Sequence, residues 1–259
     1  MEQIQMGNEP YIIDRLTPLD LFEKMLGGEA SHRILRIAGG AKMGKSHLLK
    51  TFYRRAFAEF QCLCAIVELG EKLPDPQSVL FSLKAQLPNL DFRNYDQTLD
   101  ANPKQTIEIK DTKVWFSNVS AQITENQKNE IDRQRKLTGA FVDDLKANEA
   151  QQVFLCFDTI DHAPDLHNWF QQEFLSSLCQ LNHLSIVVAG RELPDNPINL
   201  QMQCQDHDLE PFGIDHYKEV RERLDLDLDD EKVEFLFKLF DGKPGPMFEA
   251  APKFRRSVA

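Results

Sequence analysis

The chain is 259 residues long, with 42% hydrophobic and 9% aromatic residues, enough for a substantial core in one large domain or one domain with a small appendage. Its formal net charge of -11 argues against a broad nucleic-acid face, since such binding relies on lysine and arginine displacing counterions. No apolar run approaches the ~18 residues of a membrane span, and the opening MEQIQMGNEP has neither a basic flank nor an apolar h-region, so a cytoplasmic protein without membrane contact is expected.

Taken in chain order, strands and helices alternate. Residues 34–38 (ILRIA) are short, apolar and followed by glycines, which predicts a buried strand. Residues 45–60 carry Leu48, Leu49, Phe52, Tyr53 and Phe57 at helical spacing. CLCAIVEL, residues 62–69, predicts the next strand, with both thiols on one side. DPQSVLFSLKAQL, residues 75–87, has an acidic start, an early proline and apolar residues three and four apart, which predicts a helix. Residues 88–148 are polar and too long for an ordinary connection. Their middle (106–117) suggests a hairpin and their second half (123–147) a charged helix. QVFLCFD, residues 152–158, predicts an apolar strand ending in a carboxylate. Residues 164–181 predict an amphipathic helix, and SIVVAG, residues 185–190, another buried strand. Near-continuous apolar strands separated by helices indicate a parallel sheet covered on both faces. After Phe212 the pattern is purely helical: residues 214–224, 229–240 and, beyond a DGKPGP break, 247–254. Five cysteines show no metal-ligand spacing and read as reduced thiols in apolar segments.

Gly39, Gly44, Lys45 and Ser46 satisfy the spacing G-x-x-x-x-G-K-[ST] within GGAKMGKS, between a predicted strand and a predicted helix. Glycines let the backbone approach phosphate oxygens. The successive amides of Gly39, Gly40, Ala41, Lys42, Met43 and Gly44, with the helix N-terminus at Lys45, Ser46 and His47, make an anion cradle. Lys45 is expected to reach the β- and γ-phosphates, and the Ser46 hydroxyl to sit on Mg²⁺. The loop is expected to hold a nucleotide with Mg²⁺, taken as ATP or ADP, although the loop itself does not distinguish ATP from GTP.

A magnesium–nucleotide site also needs a carboxylate at the end of a neighbouring strand. Asp158, after five apolar residues, is the candidate metal ligand. Asp161 has two open readings, polarising the attacking water or capping a helix near Pro164. Thr159 stands where many ATPases carry a catalytic glutamate, so hydrolysis is expected to be slow. Arg191, at the end of the 185–190 strand, has the readings of a γ-phosphate sensor and of a surface arginine. His47 and His162 read as structural, and Trp115 and Trp169 as anchors of packing or of a partner.

The order of these motifs resembles the signal-transduction ATPases with numerous domains (STAND), the class that includes the NACHT and apoptotic-ATPase modules. GGAKMGKS matches the loop, FLCFDTIDHA is similar to the D-x-x-D-E element with His162 for the last acid, and VVAGRELP matches the strand-arginine sensor. YIIDRLTPLDLFEKML looks like the segment that packs on adenine, which brings in Asp14 and Arg15, with Asp14 in the place of a glycine and Leu16 in that of an acid. FDGKPGPMFEA looks like the G-x-P element, whose proline, Pro244, lies near the base. The resemblance implies a three-layer α/β nucleotide-binding domain with a central, mainly parallel sheet over residues 1–212, including an insertion at about 88–148. A small helical subdomain over 213–259 is implied to follow. It further implies ADP-bound closed and ATP-bound assembling states, with self-association and a sensor or effector protein as partners. Such proteins normally continue into further domains, so the expectation is either an excised ATPase core or a minimal form whose effector and sensor are separate chains. A nucleotide-binding scaffold that hardly turns over, and a DNA-handling ATPase of the AAA+ type, are the alternatives.

Overall fold

The computed structural model describes residues 15–70, 73, 75–102, 116–196 and 198–255, with the side chains of 116–127 excepted. Asp14, Trp115 and residues 106–115 of the expected hairpin lie outside the described residues, while Phe116 and Ser117 begin a helix.

Five parallel strands form one sheet: β1 (Ile34–Ala38), β2 (Leu63–Glu68), β3 (Val153–Asp158), β4 (Leu184–Gly190) and β5 (Cys204–Asp208), in the order β2-β3-β4-β1-β5. Every residue of β3 and β4 is buried, because helices cover both faces, and this is why their sequences are unbroken apolar runs. On one face lie α1 (Leu16–Leu26) and α2 (Lys45–Ala58). Phe22 of α1 stacks on Phe52 of α2 at 4.3 Å between centroids and meets Phe154 of β3 edge-on at 5.5 Å. The other face is covered by α3 (Pro76–Gln86) and α5 (Phe116–Ala147), with Val79, Leu83, Leu137 and Phe141 in a core shared with Leu155 and Phe157.

The described parts of the 88–148 region thus belong to the core. Its first part folds as α4 (Arg93–Ala101), and the buried Asp144 of α5 accepts the amides of Asn94 and Tyr95 at 3.2 and 2.8 Å, holding the first turn of α4. The buried Arg133 of α5 donates to the Asn102 carbonyl at 2.7 Å and to Gln77 of α3 at 2.6 Å.

The helix expected over 164–181 has a different form. A 3₁₀ turn at Pro164–Leu166 leads into a π-helical run, Trp169–Leu175, which closes in the short α6 (Ser176–Leu178). The wider turn brings together residues five apart: Trp169 stacks on Phe174 at 4.9 Å, and the Ser176 hydroxyl donates to the Gln171 carbonyl at 2.7 Å. Trp169 Nε1 donates to Thr138 of α5 at 2.9 Å, so this tryptophan packs within the protein.

Beyond β5, α7 (Ile214–Arg223), α8 (Asp230–Phe240) and α9 (Pro244–Ala250) gather around Tyr217, Val220, Val233 and Met247 in a core of their own. Contrary to the expected break at DGKPGP, α9 begins inside it, since Pro244 and Pro246 fall in its first turn, where a missing N–H costs nothing. Cys62 and Cys64 both face the α1–α2 layer, and burial pushes their thiols up to about 11 and about 12. Among the described residues no helix is long and apolar enough to cross a membrane.

Candidate nucleotide site

The loop between β1 and α2 is shaped by its backbone. Gly44 has φ +89° and sits directly before α2, whose first turn has no side-chain cap. The N-terminal amides of a 14-residue helix are therefore left for an anion, together with the helix dipole. A Cβ at Gly39 would meet the Leu209 Cβ at 3.1 Å. Gly40, Ala41, Lys42, Ser46 and His47 are exposed, whereas Met43 is buried and anchors the loop in the core. The Lys45 ammonium donates to the carbonyls of Gly39 and Gly40, at 2.9 Å for the second. Burial pushes the Lys45 pKa down, and the nearby Arg191 adds to this, while Asp158 and Asp161 oppose it. Asp158, Asp161 and Arg191, all singled out from sequence, thus lie within electrostatic reach of Lys45.

Asp158 ends β3, which is separated from β1 by β4, so the strand carrying it is the next but one and not the neighbour expected from sequence. Its carboxylate is buried and accepts the Thr159 amide at 2.8 Å. Thr159 is in the left-handed region, φ 56°, and its hydroxyl donates to the Leu69 carbonyl at 2.8 Å. Asp161 caps no helix at Pro164; Oδ1 instead accepts the Arg191 amide at 2.9 Å, and Oδ2 stands 3.8 Å from Arg191 Nε and 3.6 Å from His162 Nε2. This close approach requires Gly190, where a Cβ would meet Ile160 at 2.8 Å and Asp161 at 3.0 Å. The Arg191 side chain itself is exposed.

An apolar cavity of about 370 Å³ opens beside the loop, lined by Arg15, Met43, Gly44, His47 and Pro244. All five were singled out from sequence. Arg15 is buried, lies 4.9 Å over the Phe212 ring and donates to the carbonyls of Met43 at 3.1 Å and Glu210 at 3.2 Å. Sequence reasoning missed Phe212 and Phe248, also in the lining, and Gly245. The Gly245 amide donates to the Lys42 carbonyl at 2.9 Å, and a Cβ there would meet that carbonyl at 2.9 Å. The signal available for Gly245 was its place between two prolines in KPGP, a glycine at a helix start with no turn to explain it.

The donor set fits a magnesium nucleotide. The uncapped amides and Lys45 suit phosphates, the exposed Ser46 hydroxyl and the Asp158 carboxylate suit a cation that takes few protein ligands, and the apolar cavity has the size of a small-molecule site. Among the described residues no group of three or more His, Cys, Asp or Glu forms a metal cluster of another kind.

No protein-family model matches the sequence, and no curated protein does. Among solved structures, the chain is similar to a signal transduction ATPase with numerous domains that carries a tetratricopeptide repeat sensor, from Pyrococcus horikoshii. The TM-score is 0.53 at 13% identity, over 92% of this chain and 29% of that one. It is similar to Cdc6p from Pyrobaculum aerophilum at a TM-score of 0.53 and 14% identity, over 83% of this chain and 50% of that one. The chain therefore shares the fold of these proteins, the α/β fold of P-loop nucleotide-binding domains, with a five-stranded parallel sheet between helices. The chain spans under a third of the first of these proteins and half of the second.

Proposed function

We propose that the chain is the ATP-binding core of a signalling switch of the STAND type, which self-associates on binding ATP, controls a protein effector and hydrolyses ATP slowly. The observation that carries this reading is the clasp between α9 and the phosphate loop. The Gly245 amide bonds the Lys42 carbonyl, and Lys42 Nζ pairs with Glu249 of α9 at 2.9 Å. A loop that shifts to take up a third phosphate therefore moves the helices attached to it. In this reading residues 1–212 are the nucleotide domain and residues 213–259 the helical subdomain that reads its state. The amides from Gly39 to Gly44 and Lys45 hold the phosphates, Ser46 and Asp158 hold Mg²⁺, and Arg191, positioned by Asp161, meets the γ-phosphate. Arg15, His47 and Pro244 enclose the base, with Asp14 in the same segment.

Two observations favour other readings. Thr159, in the place of a glutamate and bonded away to Leu69, favours a nucleotide-binding scaffold with little turnover. The equal likeness to Cdc6p favours a DNA-handling ATPase. Light scattering during size exclusion, with ADP–Mg²⁺ and then with a non-hydrolysable ATP analogue, separates them. Assembly with the ATP analogue alone supports the switch. A monomer that binds both nucleotides removes the switch and leaves the scaffold, and duplex binding that weakens steeply with salt establishes the DNA reading.

A further inference from the structure

The carboxylate that activates the attacking water is not obvious at this site. Thr159 has none to offer, and Asp161 spends one oxygen on the Arg191 amide while the other faces Arg191 and His162. Another carboxylate stands on the far side of Asp158. Glu68 is the last residue of β2 and pairs in register with Asp158, the last residue of β3. Registered residues on adjacent strands lie about 4.8 Å apart and project to the same face of the sheet. Which face follows from the alternation: Cys62, Cys64 and Ile66 of the β2 segment, like Phe154 and Cys156 of β3, pack into the α1–α2 layer. Glu68 and Asp158 continue those two rows toward the layer from which the phosphate loop rises.

The strand ends are also fastened to each other. The Leu69 amide donates to the Asp158 carbonyl at 3.0 Å, and the Thr159 hydroxyl to the Leu69 carbonyl at 2.8 Å. Glu68 is exposed and, among the described residues, makes no hydrogen bond or ion pair. An unengaged carboxylate is thus held by rigid backbone beside the buried metal-ligand candidate.

We infer that Glu68 of β2 is the proton acceptor for hydrolysis, serving from the adjacent strand in place of a glutamate after Asp158; this rests on the nucleotide-binding reading above. Water attacks the γ-phosphorus of ATP and loses a proton to the Glu68 carboxylate. The bond from the γ-phosphorus to the bridging oxygen breaks, and ADP leaves with the electron pair. Glu68 then returns the proton to solvent, and the products are ADP and inorganic phosphate. Thr159, by this account, is a positioning residue that ties the end of β2 to the end of β3.

The test is Glu68→Gln, with Glu68→Asp beside it, in the full chain. Turnover of ATP–Mg²⁺ is followed as phosphate release, and affinity with a fluorescent ATP analogue. The expected result for Glu68→Gln is a loss of about 100-fold or more in kcat, with affinity within about twofold of the parent. Glu68→Asp, which keeps a carboxylate, should recover part of that turnover. Two results would overturn the inference: Glu68→Gln turning over like the parent, or a parent that binds ATP without hydrolysing it. Neither touches the nucleotide-binding reading, which fails separately if the parent binds no nucleotide.

Discussion

The ends of β1 and β3 both belong to the proposed nucleotide site, yet they are built in opposite ways. After β1 the chain works through its backbone: Gly44 takes a positive φ, the next helix begins without a side-chain cap, and most of the loop is exposed. After β3 it works through side chains. Asp158 binds the next amide, Thr159 reaches across to Leu69, Asp161 reaches across to Arg191, and a β-branched residue rather than a glycine holds the left-handed turn. The first construction leaves its polar groups free for a ligand. The second spends them on fixing geometry, so it can present a carboxylate accurately but has little room to rearrange.

On that division, the largest effect belongs to Lys45, the charged side chain that the loop contributes. Lys45→Ala should weaken ATP binding by about 100-fold, ~2.8 kcal/mol, in a calorimetric titration, while the fold is kept. Among the described residues its ammonium donates to two carbonyls of its own loop. An unchanged affinity would mean that the backbone cradle alone holds the phosphates, or that no phosphate binds there. A smaller effect is expected at the partner of the loop. Gly245→Ala sets a Cβ 2.9 Å from the Lys42 carbonyl and should cost about 1–3 kcal/mol in denaturant unfolding. Because the contact is made with the loop, nucleotide affinity should fall as well. A loss of stability with affinity intact would separate α9 from the site.

The same contrast governs what could be read from sequence. GGAKMGKS was legible because a backbone cradle imposes glycine at fixed spacing. The apolar run ahead of Asp158 was legible because a strand buried on both faces must be continuously apolar. The partners of Asp161 were not, since Arg191 lies thirty residues away and the bond is to its backbone amide, which has no sequence signature. Nor was β5, whose residues CQDHD pair only with β1 and stay partly exposed at the sheet edge, so no apolar period marks them. The π-helical run at Trp169–Leu175 depends on Thr138 of α5 and on a stack between residues five apart, neither of which a period of 3.6 anticipates. Arg15 and Pro244 were found only through resemblance to a family, and the structure puts both on the cavity beside the loop.

The smallest effect is also the sharpest test of how the end of β3 is held. Thr159 carries two opposing contributions. Its left-handed backbone, φ 56°, is unfavourable for a β-branched residue by about 1–2 kcal/mol, and its hydroxyl bond to Leu69 returns about 1 kcal/mol. Thr159→Val keeps the strained backbone and loses the bond, so it should destabilise the protein by about 1 kcal/mol or somewhat more. Thr159→Gly loses the bond too but relieves the backbone, and although glycine brings its own entropic cost, the change should come out within about 1 kcal/mol of the parent. The ordering valine below glycine in urea denaturation is the prediction. The reverse ordering would mean that the turn is not strained and that Thr159 acts mainly by packing. Both variants remove the side-chain tie between the ends of β2 and β3 and leave only the backbone bond from the Leu69 amide to the Asp158 carbonyl, so both should slow ATP turnover even where glycine leaves stability nearly unchanged. Stability and turnover moving apart in Thr159→Gly would show that the bond to Leu69 serves the position of Glu68 more than the persistence of the fold.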